Sequence, residues 1–399
     1  MIYLVCFFLS FFFLWIAERL LYSEEKQSYL KLKNSGLLGK IFNFKERPSH
    51  IVPLYRKIAI VCVCVGLFLP SILSGLRDYS IGTDILLYGN RWFYIAGNTN
   101  FLVYLKWATS SDIGALYALI NYVIAAITNN PHAFYFFLTL IEVSIVFLSL
   151  LQFRKEISVS FAMLVYYMMF YNISLNILRQ SLAISLMIAA YICLCKKGVK
   201  AFLIVWLLAC MAHASAIVMI IILPLKWYSN KSNSEFKSFL LMSVMIMAVV
   251  LYAPLLSFLI RVGFLSARFQ NYTLTSQGGG RVIRTAFIII IMMIIVVSYA
   301  SLKKYDKNSI LFINLSIISF VMTMLLFVGN NQVIRIAYYF DLALIIVFPF
   351  LQRAAEAHYL EISSRIVKPF LIVLLIGYWT FNVVIQNNGE TYPYQYSLS

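Results

Sequence analysis

Apolar runs of about 18 to 22 residues recur along the whole of this chain, each long enough to cross a hydrocarbon core of about 30 Å as an α-helix. Inside lipid every backbone N–H and C=O must find a partner within the protein, which leaves helices and closed barrels as the only spanning structures. The period-2 alternation of a membrane barrel is absent. The expected fold class is therefore all-α: a polytopic membrane helix bundle, with about ten to twelve membrane helices including re-entrant or broken ones, joined by outer-face loops. Composition agrees, with 62% hydrophobic and only 12% charged residues. The formal charge of +17 sits between the spans rather than on one continuous basic face, so it does not indicate nucleic acid.

Cationic residues orient the spans. Residues 1–21 form the first one; they lack the basic n-region and small-residue cleavage site of a removable signal peptide and are expected to stay as a helix. Residues 22–57 carry Lys26, Lys31, Lys33, Lys40, Lys45, Arg47, Arg56 and Lys57, an excess that marks a cytoplasmic basic loop. The chain then leaves over 58–76, making 77–130 an outer (periplasmic) loop with an amphipathic or re-entrant helix at 113–128. Residues 132–153 return to Arg154 and Lys155, 159–175 go out, and 181–195 come back to Lys196, Lys197 and Lys200. One crossing over 201–225 would put Lys226, Lys231, Lys237, Lys303, Lys304 and Lys307 outside, against the charge rule. A break at Ala212-His213-Ala214-Ser215 that turns the chain back restores it, and irregular backbone at depth is tolerated where it lines a protein cavity. Residues 257–284 then become an outer loop and 386–399 an outer tail. The whole chain, 1–399, reads as one integral membrane domain.

This threading gathers Arg77, Asp78, Asp84, Arg91, Asp112, Arg179, Gln180, Arg261, Arg268, Arg281, Arg284 and Arg335 on the outer face. Its cations are nearly all arginine, whereas the inner loops are rich in lysine. Lysine suffices to set topology; the planar guanidinium fork suits phosphate oxygens. Arg179 lies in an apolar stretch, where an unpaired guanidinium costs roughly 2.5 to 3.5 kcal/mol. An arginine at a helix end can also simply snorkel to the interface.

Spacing adds detail. Asn172, Asn176 and Arg179 or Gln180 recur at helical intervals and predict a polar stripe on one helix face. Arg335, Tyr338 and Tyr339 place a cation and two phenols on another face. Glu142 and Asp341 are the acids expected within spans, as functional groups or as structural partners of arginine. Asp84, just past a span end beside Gly82, either carries chemistry or closes a turn. His213 and Ser215 could suggest a hydrolase, but no GxSxG elbow exists, and positions i and i+2 of a helix do not face each other. The six cysteines all fall in apolar spans, and the four histidines have no ligand spacing, so neither a metal nor another cofactor is expected.

These residues form ordered motifs. Arg77 through Gly82-Thr83-Asp84 to Tyr88 resembles the R-x-x-x-x-G-T-D-x-x-x-Y element of the EpsG-like membrane proteins, which include O-antigen and exopolysaccharide polymerases of the Wzy type. Arg179-Gln180-Ser181-Leu182-Ala183, followed by His213-Ala214-Ser215-Ala216, resembles the family's RQ-x-L-A and H-x-S-A. Arg335 to Tyr339-Phe340 is similar to its late R-x-x-x-Y-F, and Pro393-Tyr394 to its terminal P-Y. Where family members often have an acidic-Pro start to the segment after GTD, this chain reads Asp112-Ile113-Gly114, which weakens any role for Asp112.

The resemblance implies a glycosyltransferase of the bacterial cell inner membrane that transfers a growing undecaprenyl-pyrophosphate-linked glycan onto a new lipid-linked oligosaccharide repeat unit at the outer leaflet. Its partners would be those repeat units, membrane lipid and a chain-length-regulating membrane protein. On this reading Arg77, Arg179, Gln180, Arg268, Arg335, Tyr338 and Tyr339 bind substrate and its pyrophosphates, and Asp84 or His213 takes the proton of the attacking hydroxyl. A flippase for the same lipid-linked sugar and an O-antigen ligase are the rival expectations. The flippase should show an internal repeat, and the ligase one very large outer loop; neither is evident in this chain.

Overall fold

A computed structural model describes residues 1–34, 51–111, 113–231, 243, 258, 261–262, 280–325, 332–358 and 361–397. Among the described residues the protein is helical with no strand, and seven helices are long and apolar enough to cross a membrane. Five shorter apolar helices, Ala115–Ala125, Val159–Ser174, Val199–Ala212, Ala214–Ser229 and Ser309–Met324, fill the spaces between them. The result is a polytopic all-α membrane protein.

Helix starts follow from local chemistry. Asn130 caps the helix Pro131–Leu150 by accepting from the His132 amide at 2.9 Å, with proline at the first helical position where no N–H is needed. Ser158 caps the segment beginning at Val159, reinforced from another helix by Glu18, whose carboxylate accepts from the Val159 and Ser160 amides at 3.2 and 3.0 Å. A carboxylate at a helix N-terminus also meets the positive end of the dipole.

The first helix runs from Ile2 to Asn34, past the end of the expected span. The second begins at Ile51, so the basic segment 22–57 is helical at both ends rather than a simple loop. Between residues 22 and 34 there is no glycine or proline to stop the helix, and Glu, Gln, Lys and Leu propagate it. Residues 77–130 fold into short helices, Arg91–Gly97, Phe101–Ser110 and Ala115–Ala125, stacked against the end of the bundle. Most of the expected outer loop 257–284, with Arg268, lies outside the described residues, as does Asp112.

The segment after Lys200 reverses. The helix Val199–Ala212 ends where His213 adopts an extended conformation, φ −155° and ψ 125°, and a 3-10 turn Ala214–Ile221 leads into Ile222–Lys231. The Trp206 indole donates back to the Ala216 carbonyl at 3.0 Å, a contact a straight helix could not make across ten residues. Lys226 then reaches Asn308 at 2.6 Å, while Lys196 pairs with Glu156 at 2.7 Å and the Tyr305 hydroxyl donates to the Glu156 carbonyl at 2.5 Å. Lys196, Lys226 and Tyr305 therefore share one end of the bundle. The opposite end holds Tyr3, Arg77, residues 82–84 and 175–179, His213 and the C-terminal tail.

Candidate functional site

The motif from Arg77 to Asp84 is a loop that docks on the start of the Leu178–Lys196 helix, contact by contact. Arg77 Nη1 donates to the Leu175 carbonyl at 3.0 Å. Gly82, at φ +93°, lies so close that a Cβ there would stand 2.5 Å from that same carbonyl oxygen. The Thr83 amide and hydroxyl donate to Asn176 Oδ1 at 2.9 and 2.6 Å. Asp84 completes the series by accepting from the Leu178 amide. The N-terminus of this helix has no cap from its own flanking residue Ile177. Asp84 supplies one from a distant segment, satisfying an orphan donor and opposing the dipole.

Asp84 is thus held at the first turn that carries Arg179. From Asp84 the chain enters a π-helical turn, Ile85–Asn90, which brings the Tyr88 ring beneath Arg179, with the guanidinium carbon 3.7 Å from the ring centroid. π-Turns of this kind are frequent at functional sites. Burial lifts the Asp84 carboxyl above the ordinary carboxylate range, while Arg179, Arg335 and the Leu178 amide pull it down.

The second wall is the break at His213. Because His213 is extended rather than helical, its ring turns onto its own chain: Nδ1 lies 2.7 Å from Ser215 Oγ and accepts from the Ser215 amide at 3.3 Å. His213 and Ser215, which could not face each other on a continuous helix, meet because the helix breaks at His213. Ser215 Oγ continues to the Tyr339 hydroxyl at 2.9 Å, and Gln180 Nε2 donates to the Arg335 carbonyl at 2.6 Å. Burial, with Arg179 and Arg335 adding to it, lowers the His213 pKa to about 4. Gly114 seats the helix Ala115–Ala125 against the broken end, since a Cβ there would meet the Ala212 carbonyl oxygen at 2.1 Å.

Six of the residues singled out from the sequence, Asp84, Arg179, Gln180, His213, Arg335 and Tyr339, therefore meet in one place. The guanidinium groups of Arg179 and Arg335 bear both on the half-buried His213 and on the Asp84 carboxylate. That arrangement suits an anionic ligand and holds a group able to take a proton.

Two others, Arg77 and Tyr338, stand apart. Arg77 is fully buried behind the docked loop, its guanidinium carbon 4.6 Å from the Tyr135 centroid, and serves to hold that loop. Tyr338 turns toward Arg284, which pairs with Asp341 at 2.5 Å; Ser319 also donates to Asp341. Asp341 is thereby a structural partner of arginine, as Glu142 is a partner of the Ser181 hydroxyl. Arg268 lies outside the described residues. The expected stripe of Asn172, Asn176 and Arg179 does not form, because helix stops at Ser174 and resumes at Leu178. Asn172 instead bonds Thr391 and Trp379 at 2.9 and 2.8 Å, inside the bundle.

Spacing alone did not single out Tyr88 or Ser215 as site residues. The signal for Tyr88 was its place four residues after Asp84, one turn along the same face.

The fold and this site define a multi-pass membrane protein with an arginine-flanked acid and histidine at one end of the bundle. The chain belongs to the EpsG family, whose model matches residues 59–396, and that family is polysaccharide polymerase-like. No curated protein and no solved structure matches it.

Proposed function

We propose that the protein is an O-antigen, or surface polysaccharide, polymerase. It would move a growing glycan from undecaprenyl pyrophosphate to a hydroxyl of a new lipid-linked repeat unit at the outer leaflet of a bacterial inner membrane. The observation that carries the reading is the placement of Arg179 and Arg335 around Asp84 at the lysine-poor end of the bundle. By the charge rule that end faces away from the cytoplasm.

In the transfer, the sugar C1–O bond to the pyrophosphate breaks with both electrons leaving on the pyrophosphate oxygen, and the acceptor hydroxyl oxygen forms the new C1–O bond. Arg179 and Arg335 neutralise the departing charge in a preorganised site, which is where such groups act most strongly. Tyr88, stacked on Arg179, fixes the guanidinium orientation. The ionised Asp84 carboxylate takes the hydroxyl proton. Arg77 and the Thr83–Asn176 bonds hold Asp84 in register. A separate membrane protein would set chain length.

The test is complementation of a polymerase-null strain. Arg179→Ala and Arg335→Ala, each present in the membrane at the normal level, are expected to leave lipopolysaccharide capped with a single repeat. Normal long chains from both variants would overturn the assignment. Loss of all O-antigen from the core would point instead to a ligase, and repeats trapped on the cytoplasmic side to a flippase.

A further inference from the structure

Of His213 and Asp84, only one is built to receive a proton. The Ser215 amide can only donate, and it points at His213 Nδ1 from 3.3 Å, so Nδ1 presents its lone pair there. A neutral imidazole with an unprotonated Nδ1 carries its hydrogen on Nε2. The 2.7 Å contact between Nδ1 and Ser215 Oγ must then be a donation from the hydroxyl. That uses the single hydroxyl hydrogen, so in the 2.9 Å contact with Tyr339 the phenol is the donor. Gln180 closes the chain: its Nε2 donates to the Arg335 carbonyl at 2.6 Å, an oxygen that can only accept, and its amide also bonds the Tyr339 oxygen.

Donor direction is therefore set from both ends by backbone groups, a carbonyl at Arg335 and an amide at Ser215. Nε2 has no protein partner among the described residues. The charged groups that bear on the ring are Arg179 and Arg335, with Asp84 close to both. An imidazolium there would face two guanidinium groups and would turn an Nδ1 hydrogen toward the Ser215 amide hydrogen.

We infer that His213 acts as a neutral hydrogen-bond donor through Nε2–H and not as a base, its tautomer fixed by the one-way chain Gln180 to Tyr339 to Ser215. Ser215 is then a positioning residue, and Asp84 alone takes the proton of the attacking hydroxyl. In the transfer, His213 keeps its hydrogen and offers it to the oxygen that gains negative charge, beside the two arginines. This assignment of roles rests on the polymerase reading; the tautomer itself does not.

The experiment therefore has two arms. In the first, histidine of the purified full-length protein is labelled with ¹⁵N and its ring nitrogens are observed at neutral pH without substrate, the His213 signals being those lost in His213→Gln. A proton on Nε2 is expected; a proton on Nδ1 overturns the inference whatever the protein's activity. Ser215→Ala keeps the backbone amide donor but loses the 2.7 Å hydroxyl donation, so the Nε2–H form should remain with a shifted Nδ1 resonance, and Ser215→Thr should restore the wild-type shift; an unchanged Nδ1 resonance in Ser215→Ala removes the Ser215 hydroxyl from the positioning role.

In the second arm, chain elongation is compared in His213→Ala and His213→Gln at equal membrane levels. The alanine variant should lose about 10²–10³-fold, as for removal of one preorganised donor. Glutamine, whose amide hydrogen falls near the place of Nε2–H, should recover at least about tenfold of that loss. Equal loss in both variants would make His213 a base and overturn the inference. A wild-type protein that elongates nothing would refute the polymerase reading while leaving the first arm intact.

Discussion

Gly82→Ala isolates the docking of the Arg77–Asp84 loop from the chemistry of the groups it carries. The substitution adds one methyl group at φ +93°, a conformation that costs an L-residue about 1–2 kcal/mol. The new Cβ would stand 2.5 Å from the Leu175 carbonyl oxygen, against the 3.4 Å of ordinary contact, so the loop must retreat by 3.4 − 2.5 = 0.9 Å. The obstacle is backbone, already held by Arg77, and cannot rotate away as a side chain would. Asp84 lies two residues on and moves with the loop. A displacement of about 1 Å costs on the order of 10²-fold in rate when a reacting group is misplaced. The expected outcome is a protein that still inserts and is recovered at near-normal levels but elongates about 100-fold more slowly. The assay is polymer formation from lipid-linked repeat units in proteoliposomes, with membrane abundance measured alongside. Gly377→Ala is the control, since a Cβ there meets nothing within 4 Å and a helix interior favours alanine. Wild-type elongation by Gly82→Ala would refute the argument that loop register places Asp84.

Three further outcomes follow from other parts of the molecule. Arg284→Met leaves Asp341 buried without its partner and should cost about 3–5 kcal/mol, read as a lower unfolding midpoint in detergent, while Arg284→Met with Asp341→Leu should regain most of it. The Asp84 carboxyl, raised by burial, must be ionised to accept a proton, so activity is present above its pKa and falls as pH drops through it. A rate profile still flat down to about pH 4, the ordinary aspartate value, would count against Asp84 as the base. Cysteines introduced as Asn230→Cys and Tyr305→Cys should react with an impermeant thiol reagent from the same side as Lys197→Cys and from the side opposite Gln395→Cys; labelling of 230 from the Gln395 side would rule out the reversal at His213.

Much of the site was legible because it rests on residue type and order. Arginines gathered at a lysine-poor end are visible in the chain itself, and Arg179 and Arg335 do act on both Asp84 and His213. The break near His213 was legible through charge, since only a reversal puts Lys226 with Lys196 and Lys303. Helical spacing failed where the helix itself stops: Asn172 and Arg179 fall in register only if residues 175–177 are helical, and they are not.

What the sequence by itself determined is the membrane bundle, the reversal near His213 and the set of polar groups at one end, because lipid leaves an apolar run no other way to satisfy its backbone. Tertiary structure alone decided which of those groups share a site. Thr83 finds Asn176 across 93 residues and Gln180 finds the Arg335 carbonyl across 155. Arg77 carries the same guanidinium as Arg179, yet it is sealed inside, because the loop it anchors closes over it. Local spacing holds no record of such pairings; they arise when a buried polar group must find its partner from whichever helix packs beside it.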